Sequence, residues 1–161
     1  MVNKSNGGFT LIEVLITMVV LALGLFGMAK LQGTALMQNQ NSYYRSQATQ
    51  LAYDIADRIR ANRAEAVKTA ASKYITLSPS SAAEKTACNA SPGCTPVLMA
   101  ENDIYQWNLQ VVSTLPMGGG FINVSGSVYT ITLQWDDNRD GTVDTTSTGS
   151  GNETVRMRFE L

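Results

Sequence analysis

The stretch Gly7–Gly27, GGFTLIEVLITMVVLALGLFG, decides how this chain is read. It is apolar almost throughout, yet it carries one carboxylate, Glu13, near its polar end. From Phe9 to Ala29 only Thr10, Glu13 and Thr17 interrupt the apolar run, and about 20 such residues cross a bilayer as a helix. Its body is Val14, Leu15, Ile16, Val19, Leu21, Leu23, Leu25 and Phe26, with Lys4 before the run and Lys30 directly after it. A carboxylate at membrane depth costs about 2.5 kcal/mol or more and is usually functional, so Glu13 requires a reason.

Polar sequence follows Lys30, with no proline until Pro79. Within it Ala48, Leu51, Ala52, Ile55, Ile59, Ala66 and Ala70 recur mostly at steps of three and four, which is one apolar stripe on a helix. Asp54 and Arg58 stand four apart in the favourable acid-before-base order. The pattern predicts one long helix from about Phe9 to about Ala71, lipidic in its first third and amphipathic beyond. Gly24, Gly27 and Gly33, each costing about 1 kcal/mol relative to Ala, are its expected points of bending or fraying. After Tyr74 the segment TLSPSSAAEKTACNASPGCTP (76–96) has loop chemistry. Three runs then alternate as half-buried strands do: IYQWNLQVV (104–112), SVYTITLQW (127–135) and ETVRMRFEL (153–161). Turn-rich segments, LPMGGGFINVSG (115–126) and DDNRDGTVDTTSTGSGN (136–152), separate them, the second joining antiparallel neighbours. On this reading Trp107 and Trp135 are sheet or core residues.

The 161 residues hold 12 basic and 13 acidic side chains, which gives no support to nucleic-acid binding. Histidine is absent, so the commonest general base and metal ligand is missing. No nucleophile–base pair, phosphate loop or metal triad is present, so the sequence points away from an enzyme and from a cofactor. Cys88 and Cys94 flank a Pro92–Gly93 turn that can bring their Cβ atoms within bridging range. Behind a membrane-type segment the expected state is a disulfide in an oxidising compartment, with two loop thiols as the alternative. So short a loop pins a local excursion more than it staples the fold.

The order Gly, Phe, Thr, Leu, Ile, Glu at the head of a membrane-length run resembles the type III signal sequence of type IV pilins and their relatives. In that family a polar leader ends in glycine, a prepilin peptidase cleaves after it on the cytoplasmic side, the new N-terminal Phe is N-methylated, and a Glu sits four residues on. Gly8, Phe9 and Glu13 match position for position. The resemblance implies an α+β, type IV pilin-like fold, a long N-terminal helix packed on a small antiparallel sheet. Its divisions would be a leader at 1–8, a transmembrane half-helix at 9–29, an amphipathic half at 30–74, and a head at 75–161 with an 88–94 disulfide loop. QATQLAYDIADRIRANRAEA (47–66) is more similar to the PilV minor pilins, the type IV pilus modification proteins, than to a major pilin. The missing helix proline is a departure from many major pilins. The implied partners are the prepilin peptidase, other minor pilins and the major pilin, and the inner-membrane assembly platform. The chain would be single-pass in the inner membrane with a periplasmic head, then part of a pilus that supports twitching motility or adhesion. In the family the glutamate pairs with a neighbouring subunit's N-terminus during assembly.

Three other readings compete. An ordinary secretory signal cut at GMAK (27–30) has the wrong length, and Glu13 would bring it no benefit. A type II secretion pseudopilin shares the same N-terminal signal. A membrane-anchored binding module would capture calcium, a surface or DNA with its head. For calcium, Asp136, Asn138, Asp140 and Asp144 resemble the start of an EF-hand loop, but its twelfth position is Ser147 and not the bidentate Glu. The alternative is a solvated turn at Asp140–Gly141. For DNA, Arg58, Arg60 and Arg63 cluster, and the plainer reading is a helix face partnered by Asp54, Asp57 and Glu65. Asn89, Asn123 and Asn152 head N-x-S/T triplets that matter only in a glycosylating host.

Overall fold

A computed structural model of the chain describes residues 8, 10–137, 139, 141–143 and 152–161. The chain divides into two compact units, Met1–Gln40 and Asn41–Leu161.

In the first unit the structure is helix α1, which begins at Leu11 and ends, within the second unit, at Ala61. Thr10 starts it: its carbonyl accepts from the N–H of Glu13 (3.1 Å) and Val14 (3.3 Å), and its Oγ1 accepts from the Glu13 N–H (3.4 Å). Thr10-x-x-Glu13 is the spacing of a capping box. The helix runs through Gly24, Gly27 and Gly33 without the expected interruption. Leucine-rich flanks and cooperative propagation outweigh three isolated glycine costs.

In the second unit α1 buries Ala48, Leu51, Ala52, Ile55, Ala56 and Ile59. The helix stops at Ala61, ten residues short of the expected end. At Asn62 the backbone leaves helical geometry (φ −94°, ψ 52°). The Asn62 side-chain amide donates to the Pro96 carbonyl (2.7 Å) and to the Tyr74 hydroxyl (3.3 Å). Tertiary bonds therefore hold the chain out of the helix that the Ala-rich sequence would continue. Two single-turn helices follow, α2 (Arg63–Ala66) and α3 (Lys73–Thr76), so Ala66 stays buried whereas Ala70 is exposed.

The run 104–112, expected as a strand, lies inside helix α4 (Pro96–Thr114). Thr95 accepts from the Leu98 N–H through Oγ1 (3.4 Å) and Pro96 occupies the first turn, a helix-start signature. The buried apolar residues are Ala100, Ile104, Trp107 and Val111, at steps of four, three and four, while Leu109, which a strand would put on the same face as Trp107, is exposed. Trp107 is thus a core residue on a helix.

Three antiparallel strands, β1 (Gly119–Ser125), β2 (Val128–Asp136) and β3 (Asn152–Glu160), form a sheet in the order β1-β2-β3. β1 corrects the second expectation, because GGGFINVSG has the composition of a turn and forms a strand. Gly120 reflects space: a β-carbon there would strike the Trp107 ring. The β1–β2 turn is Gly126–Ser127, with Gly126 at φ +62°. β2 and β3 follow their predicted alternation. Tyr129, Ile131, Leu133, Trp135 and Phe159 are buried, Val155 and Met157 are half-buried, and Arg156, Arg158 and Glu160 are exposed. One sheet face, α1 and α4 thus share a core. Its polar tips are satisfied: Trp107 Nε1 donates to the Leu51 carbonyl (2.9 Å) and the Tyr129 hydroxyl to the Ala66 carbonyl (2.8 Å). The architecture is α+β.

Candidate functional site

Two sets of residues could carry function, one in each unit. The first is the start of α1. Gly8 is exposed just before the helix, Phe9 lies outside the described residues, and Glu13 stands in the first turn, where the helix dipole favours a carboxylate. Every described residue from Thr10 to Gln40 is exposed, including all eight apolar residues from Val14 to Phe26 named above. Leu11 reaches 90 % and Phe26 78 %. Contiguous apolar surface on this scale marks a membrane or protein contact. The helix is long and apolar enough to cross a membrane. At Gly24 and Gly27 an added β-carbon would meet nothing within 4 Å, so both leave backbone open to a neighbour.

The second set is a polar network in the head. Arg58 donates through Nε to Asp54 (2.9 Å), through Nη1 to Gln106 (2.9 Å), and reaches Asp103 at 3.5 Å. The Tyr74 hydroxyl donates to the other Asp103 oxygen (2.6 Å). Burial raises the Asp103 carboxyl above its usual range, against the Tyr74 hydroxyl and Arg58, which pull it down. Burial, with Asp103 beside it, pushes the Tyr74 phenol up as well. The network borders a cavity of about 330 Å³ between α1 and α4, with Asn62, Pro96 and Met99 in its walls. Its chemistry is that of a tie between α1, α3 and α4: Arg58 donates to Gln106, Tyr74 to Asp103 and Asn62 to the Pro96 carbonyl.

Of the arginine cluster, Arg58 and Arg60 are likewise engaged in the head, whereas Arg63 lies exposed on α2. Arg58 pairs with Asp54, and Arg60 pairs with Asp57 (3.0 Å) while its guanidinium lies 4.6 Å from the centre of the Phe159 ring. Glu65, expected to serve an arginine, instead accepts from Lys68 Nζ and from the Lys73 N–H (2.7 Å). Burial alone would raise the Glu65 carboxyl, but these two hydrogen bonds and both ammonium charges outweigh it and hold it below its ordinary 4.5. The folded state therefore binds this proton more weakly than the unfolded state. The resulting stabilisation is present above about pH 4.5 and is lost as pH falls through the lowered folded value. Asp103, being raised, has the opposite sign: its contribution is present below its ordinary 3.8 and is lost as pH rises through the raised value. Glu65→Gln is expected to destabilise the head by about 1–3 kcal/mol at pH 7, with the deficit shrinking at pH 3. Urea unfolding followed by tryptophan fluorescence measures both. An equal deficit at the two pH values would reject the role assigned to Glu65.

Cys88 and Cys94 are joined as a disulfide. The loop is moored to α4 by Lys85, whose N–H donates to Asn102 Oδ1 (3.0 Å) and whose ammonium pairs with Glu101 (2.9 Å). Of the calcium candidates, Asn138, Asp140 and Asp144 lie outside the described residues, as does Ser147. Asp136 is buried, and its carboxylate accepts from the N–H of Arg139 (2.7 Å) and of Gly141 (2.9 Å), so it closes its own turn. Among the described residues no three His, Cys, Asp or Glu side chains group to hold a metal. Sequence reading missed Thr10, although Thr10-x-x-Glu13 signals a cap, and it missed Asn62, Tyr74 and Asp103, which meet only through the fold.

Comparison with known families adds two adjoining matches. The prokaryotic N-terminal methylation motif matches residues 3–29, and a family described as type IV pilin Tt1218 matches residues 30–105. Searches of curated proteins and of solved structures return no match. The two matches meet at Lys30, where the apolar run ends, and reach through the disulfide loop into α4. With the exposed apolar helix and the three-stranded head, these two matches, which together span residues 3–105, support a type IV pilin.

Proposed function

We propose that the chain is a minor pilin of a type IV pilus, similar to the PilV pilus modification proteins, and that it enters the fibre through its N-terminal helix. It is a structural subunit and not an enzyme. The observation that carries this reading is the first part of α1, apolar and exposed from Leu11 to Ala29, with a single carboxylate in its first turn. The methylation motif implies processing by a prepilin peptidase and assembly with other pilins. Cleavage after Gly8 and N-methylation of Phe9 put an ammonium one helical turn from Glu13, where opposite charges compensate in a low-dielectric setting. In the fibre the partner is a neighbour's N-terminus. An unpaired buried charge is penalised and a paired one tolerated, so Glu13 sets the register between helices. Ala22, Gly24 and Gly27 let a neighbouring helix come close.

Before assembly the chain would sit in the inner membrane with its head in the periplasm, which suits the Cys88–Cys94 disulfide. It would then pass, through the assembly platform, to the pilus tip or to a priming complex with other minor pilins and the major pilin. A deletion strain tests the choice of system. Loss of surface pili and twitching with normal exoprotein secretion is expected. The reverse pattern would make the chain a pseudopilin of type II secretion.

A further inference from the structure

Only Asn62 separates α1 from α2, with its backbone out of helical geometry at φ −94° and ψ 52°. Its side-chain amide is held mainly by the Pro96 carbonyl at 2.7 Å, the Tyr74 hydroxyl being farther at 3.3 Å. Pro96 opens α4, but the first turn there is poorly anchored. Thr95, Pro96, Val97 and Leu98 are exposed, and Ala100 is the first buried residue of the helix. Upstream, residues 89–93 are exposed, and among the described residues no hydrogen bond joins residues 91–94 to another segment. The other leg of the loop is moored. The Cys88 N–H donates to the Lys85 carbonyl (2.9 Å), and Lys85 is bound to Glu101 and Asn102 of α4. The Cys88–Cys94 bond therefore ties the free stretch to the moored one, two residues before the carbonyl that holds Asn62. Cys94 lines the same cavity as Asn62, Pro96, Arg58 and Asp103.

We propose that the disulfide is a redox-sensitive clamp on the end of α1. Intact, it holds Pro96 against Asn62 and keeps α1 and α2 apart. Once a dithiol reduces it, the first turn of α4 frays, and Asn62 takes helical geometry and joins the two helices. Local sequence favours the joined state, because Ala61 and RAEA (63–66) are good helix formers and one Asn between them costs little. Tertiary bonding favours the break, and that bonding loses its acceptor when Pro96 moves. Both cysteines are half-buried beside exposed chain, so a dithiol can reach them. Its thiolate attacks one cysteine sulfur, forms a mixed disulfide and releases the other cysteine. Its second thiol then closes the reductant's own disulfide and releases the first. The reductant gives up two electrons and two protons, and Cys88 and Cys94 end as thiols. Nothing in this clamp depends on how the chain assembles.

The test uses the full chain in detergent micelles, read by NMR before and after dithiothreitol, with reduction verified by thiol titration. On reduction the Leu98 and Met99 amides, which donate to Thr95, should exchange about tenfold or more faster. The Asn62 Cα shift should move to helical values. The Trp107 indole N–H, bonded to the Leu51 carbonyl in the core, should keep its protection. Removing the reductant and adding oxidised glutathione should restore the first spectrum. The double variant Cys88→Ser, Cys94→Ser should show the reduced spectrum without reductant. Asn62→Ala removes the side-chain donor and should give helical shifts at position 62 with the disulfide intact. Three results would overturn the proposal. They are an unchanged Asn62 shift in the fully reduced chain, loss of Trp107 protection together with that of Leu98, which would make the disulfide a staple of the whole head, and failure of the first spectrum to return on reoxidation.

Discussion

Glu13→Ala is expected to be cleaved after Gly8 and held in the membrane, yet to be missing from the fibres. Replacing the carboxylate removes a residue that costs about 2.5–3.5 kcal/mol at a helix centre in a bilayer, so insertion improves if it changes at all. Thr10 still caps α1, because its carbonyl and Oγ1 accept from the backbone of residue 13 whatever its side chain. What disappears is the one charge on an otherwise apolar surface. In the fibre a neighbour's N-terminal ammonium then has no counter-charge, and a lone buried charge left by removing its partner costs about 3–5 kcal/mol. That is a factor of more than a hundred in incorporation. Immunoblots of sheared pili against the membrane fraction read the outcome directly. A normal amount of the variant in the pili would remove Glu13 from the register role.

Trp107→Ala is expected to have the largest effect on the head, a loss of about 3–5 kcal/mol. The ring is fully buried between α1 and the sheet, its Nε1 donates to the Leu51 carbonyl at 2.9 Å, and Gly120 abuts it with no room for a β-carbon. A domain of this kind has about 5–15 kcal/mol of stability in all. The variant therefore approaches the threshold of folding, while its N-terminal sequence still permits processing and insertion. Gly120→Ala presses on the same ring and should cost about 1–3 kcal/mol. Because the two sites touch, the double variant should fall short of the sum, since removing the indole leaves room for the new methyl group. Urea unfolding followed by circular dichroism separates these values. A loss below about 1 kcal/mol for Trp107→Ala would mean that the indole does not organise this core.

The parts of the fold written in strong periodicity were legible. The apolar run from Phe9 to Ala29 can be little but a membrane-length helix, and the alternation in 127–135 and 153–161 appears as β2 and β3. Where two periods fit one run, the reading failed. Residues 104–112 offer Tyr105, Trp107, Leu109 and Val111 at period two, but also Ile104, Trp107 and Val111 at helical steps, and the Thr95–Pro96 start decides for the helix. β1 was hidden because its glycines look like turn chemistry, although Gly120 is set by the width of an indole. The end of α1 at Ala61 was not legible at all, since Asn62 is held by Pro96 and Tyr74, residues distant in sequence. The N-terminal motif was the reverse case. Gly8, Phe9 and Glu13 fall in a local pattern, matched by the methylation motif over residues 3–29, that depends on no contact with the head.

The central claim is that the chain is processed as a pilin and assembles from a newly made N-terminus at Phe9. Mass spectrometry of the mature N-terminus tests it most directly. The expected species begins with N-methylated Phe9, with residues 1–8 removed. A chain beginning at Lys30, or one still carrying Met1 in a strain with an active prepilin peptidase, would contradict it.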